Sequence, residues 1–160
     1  MNVDHILSTF NQHQVEYLMI GGMHFLIRHA PLLTYDVDLW IEDSEANRAK
    51  AERALAALDA EWGTTDADWG PVAAKSVGWL DRQPIFCLNS PHGAIDIFRA
   101  VAGLTGWHSA AQYAISGTTA GGVPYRGLSD ADMLQCQLAL DPGQRKQDRI
   151  AILKQKLGIP

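Results

Sequence analysis

A chain of 160 residues, 47% hydrophobic and 19% charged, is long enough to bury a core and short enough to form one compact unit. Its net charge of -5 excludes a broad, sequence-independent grip on DNA, which depends on many Lys and Arg neutralising phosphates. No apolar run approaches the ~20 residues needed to cross a bilayer, and the N-terminal MNVDHILSTFNQHQ lacks the basic start and apolar stretch of a secretion signal, so the expected address is cytoplasmic, with no membrane partner.

Val3, Ile6, Leu7 and Phe10 recur at helical spacing, and Val15 to Ile20 follows as a strand of β-favouring residues. Gly21-Gly22 interrupts that strand, and Met23 to His29 winds into a short helix that Pro31 prevents from continuing. From Tyr35 to Ile41 the alternation is strict: Tyr35, Val37, Leu39 and Ile41 take one face, Asp36 and Asp38 the other. Asp43-Ser44 caps a helix over Glu45 to Ala60, which is rich in Ala, Leu, Glu, Arg and Lys. Glu61 to Lys75 has no clean period and reads as an irregular excursion. Pro84 to Leu88 and Ala94 to Phe98 have hairpin spacing around Asn89-Ser90-Pro91-His92-Gly93. A short helix is expected around Ser109 to Ile115 and a strand pair within Gly117 to Gly127. Ser129-Asp130-Ala131-Asp132 then caps a helix to about Leu140, and Asp141-Pro142-Gly143 separates it from a last helix ending near Gly158. The cysteines, Cys87 and Cys136, lie far apart in apolar segments and read as buried thiols.

Three acids carry the chemistry. Carboxylates at i and i+2 on a strand leave the same face ~7 Å apart and can converge on one cation. Buried without a partner such charges are costly, and a hard divalent ion offsets that cost. Asp96, flanked by Ile95 and Ile97, is a third acid on a strand, which a neighbouring antiparallel strand would bring beside Asp36 and Asp38. Glycine at Gly21-Gly22 permits close backbone approach, and the helix that follows presents N–H groups to phosphate oxygens. Read alone, Asp36 and Asp38 also fit a solvated sheet face without function. His24 and Arg28, four apart, share a helix face that can meet phosphate, or form a structural pair. Lys75 and Arg82 flank the middle strands and are candidate triphosphate contacts or solvated surface. Arg99 follows Asp96 as a possible neutralising charge. The five tryptophans read as core or interface anchors, with Trp69 and Trp79 as candidate stacking platforms. Arg145, Lys146, Arg149, Lys154 and Lys156 make the C-terminal segment locally basic, which reads first as a solvated helix face.

An apolar strand, Gly21-Gly22, an interval from Met23 to Tyr35, Asp36-Val37-Asp38 between apolar residues, and a later Asp96 together resemble the nucleotidyltransferase superfamily of DNA polymerase β. More narrowly, Gly21-Gly22, Thr34 and Asp36-Val37-Asp38-Leu39 are similar to its small stand-alone bacterial and archaeal members, including the toxin-type AbiEii-like group. Arg145-Lys146-Gln147-Asp148 echoes an Arg-x-x-Asp helix of that group. The resemblance covers residues 3 to 100 in its core. It implies an α+β nucleotidyltransferase fold, a small mixed β-sheet with helices mainly on one face and a short C-terminal helical pair. Residues 1–128 form the core and 129–160 an appendage of the same unit.

The resemblance further implies Mg2+, with Mn2+ as a substitute, held by Asp36, Asp38 and Asp96. A nucleoside triphosphate such as ATP lies on Gly21, Gly22 and Thr34, and Asp96 helps activate a hydroxyl acceptor on RNA, protein or a small molecule. The toxin-type members carry Ala and Arg where this chain has His24 and Leu32, and a late-helix Lys where it has Gln135 and Gln137. These departures leave the acids in place but bear on nucleotide contacts, so a nucleotide- or partner-binding module without turnover stands as the alternative. A homodimer, or a cognate antitoxin, is the expected protein partner.

Overall fold

The computed structural model describes residues 1–160. Helix α1 (Val3–Gln12) starts where the Asn2 side chain accepts the His5 N–H at 3.1 Å. It buries Ile6, Leu7 and Phe10, the face its spacing predicts. Strand β1 (Tyr17–Ile20) is buried throughout and runs directly into α2 (Gly21–Arg28). Strand β2 (Asp36–Ile41) pairs antiparallel with β1. Tyr35 falls just outside it, exposed, rather than on its apolar face.

The Ser44 hydroxyl caps α3 (Glu45–Ala57) by accepting the Asn47 N–H at 3.2 Å. Buried Asn47 fastens that first turn to the sheet: its amide bonds the backbone of Glu16 on both sides and the carbonyl of Glu42. The excursion after α3 holds a two-residue pairing of β3 (Glu61–Trp62) with β4 (Gly70–Pro71), and single 3-10 turns at Val72–Ala74 and Trp79–Asp81. Buried Glu52 anchors it by accepting the Gly78 and Leu80 N–H groups, each at 3.0 Å. A buried carboxylate bonded twice in this way is a structural group.

Strands β5 (Ile85–Leu88) and β6 (Ala94–Phe98) form the expected hairpin, and β7 (Ile115–Thr118) and β8 (Pro124–Gly127) the second pair. Between them lies α4 (Trp107–Tyr113). The sheet order is β5-β6-β2-β1-β8-β7. One pairing differs from expectation: β6 lies parallel, not antiparallel, to β2. The reason is that the chain, after α3 and the excursion, enters edge strand β5 from the end where β2 finished, so β5 runs antiparallel to β2 and the hairpin turns β6 back parallel to it.

The α+β architecture expected from the sequence is observed, with a mixed six-stranded sheet, but its helices divide between the two faces rather than lying mainly on one. On one face, α1 and α3 close a core that includes Val37, Leu39, Ile95 and Ile97. On the other, Leu18, Ile20 and Trp40 pack against α5 (Asp130–Ala139) and α6 (Gln147–Leu157) through Met133, Leu134, Ile150 and Leu153. Trp62 and Trp79 stack at 5.5 Å inside the first core, so Trp79 is a packing residue and no base platform. Trp69 remains 42% exposed, with its indole N–H on Glu61 at 3.2 Å. Cys87 is exposed, contrary to its sequence reading, because β5 is an edge strand with Phe86 and Leu88 taking its inward positions; both cysteines are free. No helix is long and apolar enough to cross a membrane.

Candidate active site

The face of the sheet opposite α1 and α3 carries the acids. Asp38 and Asp96 are register partners across β2 and β6, and Asp36 lies two residues earlier on β2, so pleat parity turns all three the same way. One oxygen from each lies within 4.8 Å of the others. All three are half-buried. A cluster of hard oxygen donors this tight is the ligand chemistry a divalent cation such as magnesium selects.

The cluster is electrostatically strained. Burial, then the charges of Asp36 and Asp96, push the Asp38 carboxyl up from its ordinary range to about 7, against the Gly22 N–H bonded to it and the positive charge of Arg149. Asp96 is likewise raised, first by burial and then by Asp36, while a hydrogen bond from the Cys87 thiol opposes the shift. Like charges held together out of water favour the protonated form. A cation reverses that preference.

Gly21 is required where it stands. Its φ of +67° lies in the left-handed region, and a Cβ there would overlap the Asp38 carboxylate. Gly22 leaves room of a second kind: a Cβ would come within 2.8 Å of the Thr34 hydroxyl and 3.4 Å of the Arg149 guanidinium. Thr34 in turn donates to Asp36 at 3.1 Å. The turn, Thr34 and the acids therefore form one contiguous surface.

Four basic residues offered for this site by the sequence lie elsewhere. Arg28 sits at the far end of α2, paired to Asp130 at 3.1 Å. The Lys75 amine is bonded to the Asp68 carbonyl at 2.9 Å and lies 5.2 Å from the Trp62 ring. Trp62 packs on Phe86 within the core under the opposite face, so the sheet separates Lys75 from the acids. Arg99 engages Asp43 and Asp81, at 2.7 and 3.1 Å, and does not neutralise the cluster. His24 is fully buried and turned toward β8, where its Nε2–H donates to the Leu128 carbonyl at 2.8 Å. Nδ1 is left without a partner, and burial lowers the ring's pKa to about 4. It is a neutral internal strut, not a phosphate contact.

In the sequence Arg149 is one cation of a basic run, with no local motif to single it out. The structure brings it from α6 across to the Gly21–Gly22 turn, 5.8 Å from the Phe25 ring. The signal available was the helical face shared by Ile150 and Leu153, which fixes how α6 packs; its meeting with α2 is a long-range fact. Arg149, Gly21 and Asp38 line a cavity of about 330 Å³. Its sheet side is Ile20, Phe98 and Ile85, and its helical side includes Met133, Leu140 and Leu153.

A mixed sheet thus presents an acidic triad beside a Gly-Gly turn at the start of a short helix. Solved structures with this fold include the antibiotic-resistance factor ANT(2'')-Ia in solution, at TM-score 0.59 and 14% identity over 96% of this chain and 81% of that one. The crystal structure of ANT(2'')-Ia in complex with adenylyl-2''-tobramycin matches at TM-score 0.59 and 15% identity, over 96% and 86%. TM1012 of Thermotoga maritima, a proposed nucleotidyltransferase, matches at 0.54 and 16%, over 96% and 88%. No protein-family model matches the chain, and no curated protein matches by sequence. The likeness, at these identities, is one of fold.

Proposed function

We propose that the protein is a metal-dependent nucleotidyltransferase that moves a nucleoside monophosphate from a nucleoside triphosphate to a hydroxyl acceptor. The observation that carries this reading is the convergence of Asp36, Asp38 and Asp96 within 4.8 Å beside a glycine turn that leaves no space for a Gly21 Cβ against the Asp38 carboxylate.

Asp36, Asp38 and Asp96 fit Mg2+, or Mn2+ in its place, by donor type and proximity. Bound there, such ions supply charge neutralisation and alignment for an in-line displacement at phosphorus. The chain's own groups do the rest. Gly21 and Gly22 admit the phosphates close to the backbone, and free N–H groups at the start of α2 meet their oxygens. Asp96 accepts the proton of the acceptor hydroxyl as that oxygen bonds to the α-phosphorus and pyrophosphate departs. The hydroxyl belongs to RNA, a protein or a small molecule; adenylyl-2''-tobramycin, bound by a protein of similar fold, belongs to the last class.

Calorimetric titration with each triphosphate and magnesium, followed by incubation of α-labelled triphosphate with cell RNA, protein and small-molecule fractions, tests the proposal. Metal-dependent binding and label transfer are expected. Saturable binding without transfer would establish the binding-module alternative, and no binding to any triphosphate would sink both.

A further inference from the structure

Arg149 is a half-buried cation whose donors are unused. Arg28 is held by Asp130, Arg48 and Arg99 share Asp43 and Asp81, and Arg145 is spent on the Leu138 and Leu140 carbonyls. The Arg149 guanidinium, by contrast, lies over the Phe25 ring and beside Gly22, without ion pair or hydrogen bond. A guanidinium presents five N–H donors and no acceptor, so leaving it partly desolvated and unpaired is unfavourable until an anion arrives. Its position says which anion. It stands over the proposed phosphate turn, with a guanidinium nitrogen 3.4 Å from where a Gly22 Cβ would lie, and lines the same cavity as Asp38.

We propose that Arg149, delivered from α6, clamps the triphosphate on the Gly21–Gly22 turn; this rests on the nucleotidyltransferase reading of that turn. A triphosphate running from the acids along the turn passes under the guanidinium, which meets two of its oxygens side by side, the geometry its planar fork favours. The basic contact that Arg28 and Lys75 do not make is thereby supplied from the C-terminal helix. It follows that α5 and α6 are part of the binding machinery, since α6 carries the clamp and its packing on Ile20 and Phe25 sets the clamp's height above the turn. The π-contact with Phe25 holds the guanidinium in place before the ligand binds.

The alternative is that Arg149 only offsets the charge of the acids. Titration of wild type, Arg149→Met, Arg149→Lys and the control Lys154→Ala with magnesium alone, magnesium tripolyphosphate and magnesium triphosphates separates the two. Met keeps an apolar stem over Phe25, so folding is retained. The clamp predicts that Arg149→Met loses about ten- to a hundred-fold in affinity for tripolyphosphate and nucleotide alike, with affinity for magnesium alone unchanged or tighter. Arg149→Lys recovers part of that loss, and Lys154→Ala matches wild type. Unchanged tripolyphosphate affinity in Arg149→Met, with or without tighter binding of magnesium alone, overturns the clamp while the nucleotidyltransferase reading stands. A wild-type protein that binds neither tripolyphosphate nor nucleotide overturns both.

Discussion

Asp38→Asn should make the metal-free protein more stable, and increasingly so as pH rises. In the folded chain, burial and the neighbouring acids raise the Asp38 carboxyl to about 7 from an ordinary value of 3.8. The sign follows from proton counting: between those values the folded state holds a proton that the unfolded chain has released, so stability falls as pH rises. Each pH unit in that window costs about 1.4 kcal/mol, so carrying wild type from pH 5 to pH 8 without metal weakens the fold by roughly 2–3 kcal/mol through this group. Asparagine has nearly the same shape, keeps an acceptor for the Gly22 N–H and carries no charge. Urea unfolding of both proteins in chelator should therefore show an advantage for Asp38→Asn that widens by about 2–3 kcal/mol from pH 5 to pH 8. Contributions common to both, including that of His24, cancel in the difference. Saturating magnesium should close the gap, because a ligand at a hundred times its dissociation constant stabilises the binding-competent wild type by about 2.7 kcal/mol. A pH-independent difference, or a variant less stable than wild type at pH 8 in chelator, would refute the account of a strained acid cluster.

Gly21→Ala should cost at least about 1–2 kcal/mol from its left-handed backbone and also displace the Asp38 carboxylate, so that thermal melts shift down and manganese affinity, followed by calorimetry, falls. His24→Ala should lower stability by about 2–4 kcal/mol in denaturant unfolding, through the lost volume and the orphaned Leu128 carbonyl. Because burial depresses the His24 value to about 4, its contribution is fully present above the unfolded value near 6.5 and is lost as pH falls toward 4; the variant should lack that acid-side decline. Lys75→Ala should cost about 1 kcal/mol through the Asp68 contact yet leave magnesium-nucleotide affinity within about twofold of wild type in the same titrations.

Much of the site was legible in local sequence. Alternation from Val37 to Ile41 requires Asp36 and Asp38 to share a face because the strand period is two, and the Asn89–Gly93 turn dictates the hairpin that carries Asp96. The helix caps at Ser44 and Ser129 and the break at Gly21 depend on residues a few positions apart, and they stand where local chemistry puts them.

What the sequence could not determine is what distant segments do to one another. The parallel pairing of β2 with β6 arises from the path of a crossover, and it is this pairing that sets Asp96 directly beside Asp38. The same packing reassigns the cations. Asp130 takes Arg28, Asp68 takes Lys75, β8 draws His24 into the core, and α6 swings Arg149 over the glycine turn. Charge in a sequence is a property of the residue; whether it is free to hold a phosphate depends on which carboxylate the fold has already placed against it.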